Sequence, residues 1–203
     1  SIVCASSFWC VLPVTSVRFW LLNLLYDIFC IVRPWDNGDE EETLSPRDWA
    51  GRTLGRFMLS FGPISSLFDI VTFLFLYYFL CPMLCGGATY LNLTSPAPRL
   101  QYVSLFQTGR FLESMWTQVL ILHFLRTRRI PFVQSRPSAP VICITLTGIV
   151  AFTAITFTGG ALLFGLTKLP FGYFVFLLTV ALLYMLLTTV AKYFYQKKYH
   201  ELI

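Results

Sequence analysis

The chain has 203 residues, of which 56% are hydrophobic and 12% charged, with twenty Phe and ten Tyr. Soluble domains carry roughly 25% charged residues, so this composition excludes an ordinary soluble fold and indicates a polytopic membrane protein. The net charge of +5 is therefore not a nucleic-acid signature; its meaning lies in where Lys and Arg fall relative to the spans.

A membrane-crossing helix needs roughly 20 mostly apolar residues. Six stretches are expected to form an all-α polytopic membrane helix bundle, the first of them partial. Residues 1–12 are apolar but too short to cross alone, and Pro13 breaks them. The chain thus opens inside a helix, which points to an upstream part. The second stretch covers about residues 17–32 and stops at Arg33-Pro34. The third covers about 64–84, the fourth about 105–125, the fifth about 141–163 and the sixth about 171–194. Residues 33–63 and 126–140 form the polar connections, and the first of these holds the acidic run "DNGDEEE". A charge block of this kind is ordinarily a solvated surface loop.

Alternating the six stretches across a bilayer sorts the basic residues into two sides. Arg33, Arg47, Arg52, Arg56, Arg126, Arg128, Arg129, Arg136, Lys192, Lys197 and Lys198 share one side; Arg18, Arg99, Arg110 and Lys168 share the other. The excess of eleven over four assigns the first side, with the C-terminus, to the cytosol. Asn92-Leu93-Thr94 is an N-glycosylation sequon on the opposite side, and makes Asn92 a candidate acceptor.

Polar groups inside apolar helices carry the functional signal. A charge at the bilayer centre costs on the order of 3 kcal/mol on insertion scales. In "LLNLLYDI", Asn23 and Asp27 stand four apart and share a helical face. A carboxylate and an amide carbonyl are hard oxygen ligands suited to Mg²⁺, Ca²⁺ or a similar cation. The bland alternative is an interhelical hydrogen bond that only holds the bundle together. Glu113 and Gln118 lie in "FLESMWTQVLILHFL". Glu113 is a candidate cation ligand, but it follows Arg110 by three residues and so can instead pair with it. Asp69 is placed early in the third stretch, where a helix-start or interfacial role is expected. His123 has no second His or Cys at ligand spacing and is read as a packing residue.

The six cysteines form no zinc or disulfide framework. Cys4, Cys10, Cys30 and Cys143 sit in apolar runs, where Cys behaves as a small hydrophobe. Cys81 and Cys85 are close enough in sequence for a bridge, but spacing alone does not establish one. No catalytic constellation is present.

The blocks "LLNLLYDI", "RPWDNGDEE", "GRFMLSFGPISSLFDIVTFL" and "FQTGRFLESMWTQVLILHFLRTRRIPFVQSRPS" resemble, in this order and spacing, the C-terminal membrane domain of P-type cation-transporting ATPases. The magnesium-importing branch is the nearest in pattern. The resemblance implies that the chain runs from the second half of the fifth membrane helix to the tenth. It implies that Asn23 and Asp27 face the transported ion, with Gln118, and Glu113 beside it, among the polar residues of the eighth helix. Arg110 stands where the family usually carries a large aromatic residue. The family's phosphorylated "DKTGT" and its "TGES" loop are not in this sequence.

Three readings follow. In the first, the chain is the ion-pathway half of a P-type Mg²⁺ ATPase, catalytic only in the intact pump; ATP would act through domains outside this chain. Its partners would be the lipid bilayer, the cation and the remaining pump domains, with no nucleic acid. In the second, it is a non-catalytic truncated relative serving as a membrane scaffold; a P-type pump for Ca²⁺ or H⁺ is a variant of the first. An unrelated small transporter or channel is the third, which the block-by-block resemblance disfavours.

Overall fold

The computed structural model describes residues 16–32, 35–36, 51–125, 137–158 and 165–199. The regular structure among the described residues is entirely helical, with no strand. Helix α1 is Ser16–Ile31. Helix α2, Gly51–Phe75, continues through a π-helical turn, Leu76–Leu80, into the short α3, Cys81–Leu84. A 3₁₀ turn at Tyr90–Asn92 leads to α4, Pro96–Leu125. Helices α5, Ala139–Phe157, and α6, Phe171–Tyr199, complete the bundle. The expected stretch 1–12 lies outside the described residues.

Local chemistry sets several of these boundaries. Helices α4 and α5 carry Pro in their first turn, where the missing N–H would have had no intrahelical partner. The Ser138 N–H ahead of α5 donates to Asp36 Oδ1 at 2.9 Å, so a carboxylate sits against the positive end of that helix. Gly86 and Gly87 adopt φ of 80° and 83° and end α3. The Gly87 N–H returns to the Pro82 carbonyl at 2.7 Å, satisfying one of the last carbonyls of the helix.

The π-helical turn ends just before Pro82. The Cys81 N–H bonds to the Leu76 carbonyl, five residues back. The Tyr77 carbonyl therefore loses Cys81, its α-helical donor. Its π-register donor would be residue 82, and proline has no N–H. The buried Tyr102 hydroxyl, from α4, donates to that carbonyl.

Side-chain pairs along the seams fix the helix directions. Between α2 and α4, Asp69 meets Arg110, Phe73 stacks on Phe106, and Tyr77 meets Tyr102. Each step of four up α2 matches a step of four down α4, so the two are antiparallel, with one helical face in contact throughout. Between α2 and α6, Phe61 packs on Tyr195, Phe68 on Tyr184 and Phe75 on Phe176, again antiparallel. Between α4 and α5, Phe111 meets Phe152 and His123 Nε2 lies 3.2 Å from Thr145 Oγ1, antiparallel once more. Helices α4 and α6 run parallel: Tyr173 reaches Gly109 and Lys192 reaches the Phe124 carbonyl. This is the relative arrangement that alternate crossing of a bilayer requires.

Among the described residues, three helical segments are long and apolar enough to cross a membrane: Met58–Leu84, Ala139–Phe157 and Phe171–Lys197. Helix α1, at 16 residues, extends only about 24 Å. Helix α4 is long enough, at about 45 Å for its 30 residues, but Gln107, Thr108, Arg110, Glu113, Ser114 and Thr117 make it polar. All six are buried. Helix α4 packs against α1, α2, α5 and α6, and it is the centre of the bundle rather than a lipid-facing wall.

Candidate functional site

Helix α1 is two-faced. Leu22, Leu25 and Phe29 are buried against the bundle at the three- and four-residue spacing of one helical stripe. Asn23 and Asp27 lie on the opposite, exposed surface, among exposed Trp20, Leu24 and Ile28. One helical turn separates the amide from the carboxylate, about 6 Å along the axis. Gln118 is half-buried on α4. Asn92 is exposed in the 3₁₀ turn before α4.

Glu113 is in a different setting. It is fully buried, and its Oε2 accepts from Arg110 Nη1. The Arg110 guanidinium also reaches Asp69 Oδ1 at 2.9 Å through Nη2 and lies 5.0 Å from the Phe73 ring centre. Asp69 is thus not at a helix start. Helix α2 begins at Gly51, which leaves Asp69 about 17 Å inside the apolar segment that opens at Met58. Sequence reading missed its partner because Asp69 and Arg110 belong to different helices. The usable signal was that both are unmatched charges in apolar stretches, which seek one another.

Arg18 is a second buried cation that sequence reading assigned to a membrane flank. Its guanidinium donates to Gln107 Oε1 at 2.7 Å and to the Gly165 carbonyl, tying α1 to the start of the buried part of α4 and to the segment before α6. Nearby, the Thr167 N–H donates to Thr108 Oγ1 at 3.0 Å, and Ser104 bonds to Thr167. His123 is buried against Thr145 as a packing residue. Cys81 and Cys85 carry free thiols. Among the described residues, no three His, Cys, Asp or Glu side chains converge as a metal cluster.

The family model described as "Cation transporting ATPase, C-terminus" covers residues 11–194. The chain belongs to the cation-transporting ATPase C-terminal family. It is 38% identical over 199 residues to "Magnesium-transporting ATPase, P-type 1" of Salmonella typhimurium strain 14028s, covering 98% of this chain and 20% of that protein. It is 37% identical over 199 residues to the protein of the same name from Escherichia coli strain K12, with the same two coverages. The chain therefore spans about a fifth of the length of these relatives. Membership in this family, with three apolar helices of crossing length, makes the chain part of an integral membrane protein.

Proposed function

We propose that this chain is the membrane, ion-pathway half of a P-type ATPase that transports Mg²⁺. Support comes from the relatives named magnesium-transporting, similar to it over nearly its whole length, and from Asn23 and Asp27 on the accessible face of α1. In this reading α1 and α4 cross the bilayer together with the three apolar helices. The exposed face of α1 then lines the ion path instead of meeting lipid. Asp27 supplies the charged oxygen and Asn23 a neutral one, with Gln118 as a further oxygen donor on α4. Mg²⁺ dehydrates reluctantly and is usually held by one or two carboxylates with several waters retained, so a sparse protein ligand set suits it. A bound divalent ion also keeps an intramembrane carboxylate ionised, which an apolar environment alone would not. ATP hydrolysis would be supplied by other parts of the pump, with this chain responding to them.

Orientation belongs to the same proposal: the C-terminus is cytosolic and Asn92 faces away from the cytosol. The charge bias behind it sharpens when Arg18, Arg110 and Lys192, all buried inside the bundle, are set aside. Ten basic residues then remain on the cytosolic side and two, Arg99 and Lys168, on the other.

The decisive experiment is transport against Mg²⁺ concentration by the reconstituted full-length pump. Asp27→Asn preserves shape and hydrogen bonding while removing the charge; it should abolish Mg²⁺ transport and Mg²⁺-dependent turnover without blocking membrane insertion. Asn23→Ala should raise the half-saturating Mg²⁺ concentration less severely. Near-normal transport by Asp27→Asn would remove the ion-site assignment and leave α1 as a packing helix.

A further inference from the structure

The buried charges between α2 and α4 do not balance. Asp69 and Glu113 bring two carboxylates to a single guanidinium, and all three side chains are nearly excluded from solvent, at 11%, 1% and 5% side-chain exposure for Asp69, Glu113 and Arg110 respectively. Glu113 Oε1 has no hydrogen-bond partner, although it is fully buried. The hydroxyl of Thr72, three residues after Asp69 on α2, is likewise buried and unpartnered. Asp69 and Thr72 lie about one turn apart on α2. The seam therefore holds two carboxylates from two helices, with one Glu113 oxygen unsatisfied, around a cation that is covalently part of the chain.

We propose that the Arg110 guanidinium is a resident cation occupying the Asp69–Glu113 carboxylate pair, so that Arg110 is a specificity-determining residue that keeps a metal ion out of a latent divalent-cation site between α2 and α4. Hard carboxylate and hydroxyl oxygens are what Mg²⁺ or Ca²⁺ would use there. Arg stays protonated in proteins and matches carboxylates with a planar fork of donors. Its Nη1 and Nη2 each take one oxygen of the two carboxylates, so the guanidinium stands between the carboxylates where a metal would bridge them. The Phe73 ring, its centre 5.0 Å from the guanidinium carbon, fixes the guanidinium from one further direction. Glu113 is thereby withdrawn from the mobile ion, and the transported cation is left to the α1 face. This deepens the transport reading, and its test stands apart from the one at Asp27 because only Arg110 and Glu113 are varied.

Equilibrium dialysis of the full-length, nucleotide-free protein in detergent against MgCl₂, and separately CaCl₂, measures the bound ions. Arg110→Met should bind one more divalent ion per chain than wild type, and the extra ion should disappear in Arg110→Met/Glu113→Gln. Glu113→Gln alone should leave the ion count unchanged and the half-saturating concentration within about twofold, whereas changes around metal sites typically cost about 10- to 100-fold. A folded Arg110→Met with the wild-type ion count overturns the proposal. So does Glu113→Gln if it loses an ion or shifts half-saturation beyond twofold. Should Arg110→Met fail to fold, Glu113→Gln decides by itself: unchanged binding upholds the exclusion of metal from Glu113, and weakened binding refutes it.

Discussion

Replacing Tyr102 by Phe isolates a single hydrogen bond whose necessity can be worked out from the chain. Tyr102 is fully buried, and its hydroxyl serves the Tyr77 carbonyl that the π-helical turn and Pro82 deprive of a backbone donor. Phe fills almost the same volume, so the change is mainly one buried acceptor left unmade, worth about 1–3 kcal/mol. At about 2–4 °C per kcal/mol for a unit of this size, the melting temperature should fall by roughly 2–12 °C. The purified protein can be melted in detergent with a thiol-reactive fluorophore, which reads the exposure of buried Cys81 as the bundle opens. The causal chain makes a sharper demand on the double mutant. Pro82→Ala creates an N–H at the position from which a π-register bond reaches the Tyr77 carbonyl. Tyr102→Phe should then be less destabilising on the Pro82→Ala background by about 1 kcal/mol, a coupling well above the additivity error of independent sites. Equal destabilisation on both backgrounds would refute the account of why Tyr102 is needed.

Gly109→Ala would set a Cβ 2.6 Å from Leu76 Cδ2 and 3.3 Å from Tyr173 Cζ; overpacking a core commonly costs about 1–3 kcal/mol, so the same melt should shift downward, and an unchanged melt would mean that the α2–α4 seam yields freely. Reversing the charges of Asp39, Glu40, Glu41 and Glu42 in the complete pump should slow ATPase turnover if the acidic connection couples membrane and cytosolic parts; unchanged hydrolysis and transport would leave it a solvated linker.

The helical, membrane-embedded character was legible in the sequence because it depends on composition summed over long windows, and single side chains barely alter such sums. The family was legible because several long blocks keep their order. Helix ends were less legible. The apolar pattern suggested 64–84 for a helix that starts at Gly51, since the added turns contribute little to hydropathy. The same averaging sets α4 apart in the opposite way: its polar side chains look unsuited to lipid, yet they meet other helices instead.

For the candidate site, sequence spacing alone placed Asn23 and Asp27 on one face of a helix, because residues four apart on a helix always share a face. It also raised the pairing of Glu113 with Arg110, three apart on one helix and therefore local. Which way the Asn23–Asp27 face points was decided by tertiary packing, through the burial of Leu22, Leu25 and Phe29 on the other side of α1. The third member of the buried ion cluster was decided there too. Asp69 and Arg110 meet only because the α2–α4 register aligns 69 with 110, 73 with 106 and 77 with 102. Within that register Gly109 leaves room for Leu76 to pack against α4. Residue types and local periodicity are written in the chain, but an interhelical register is the joint outcome of many side chains packing at once, and it exists only in the folded bundle.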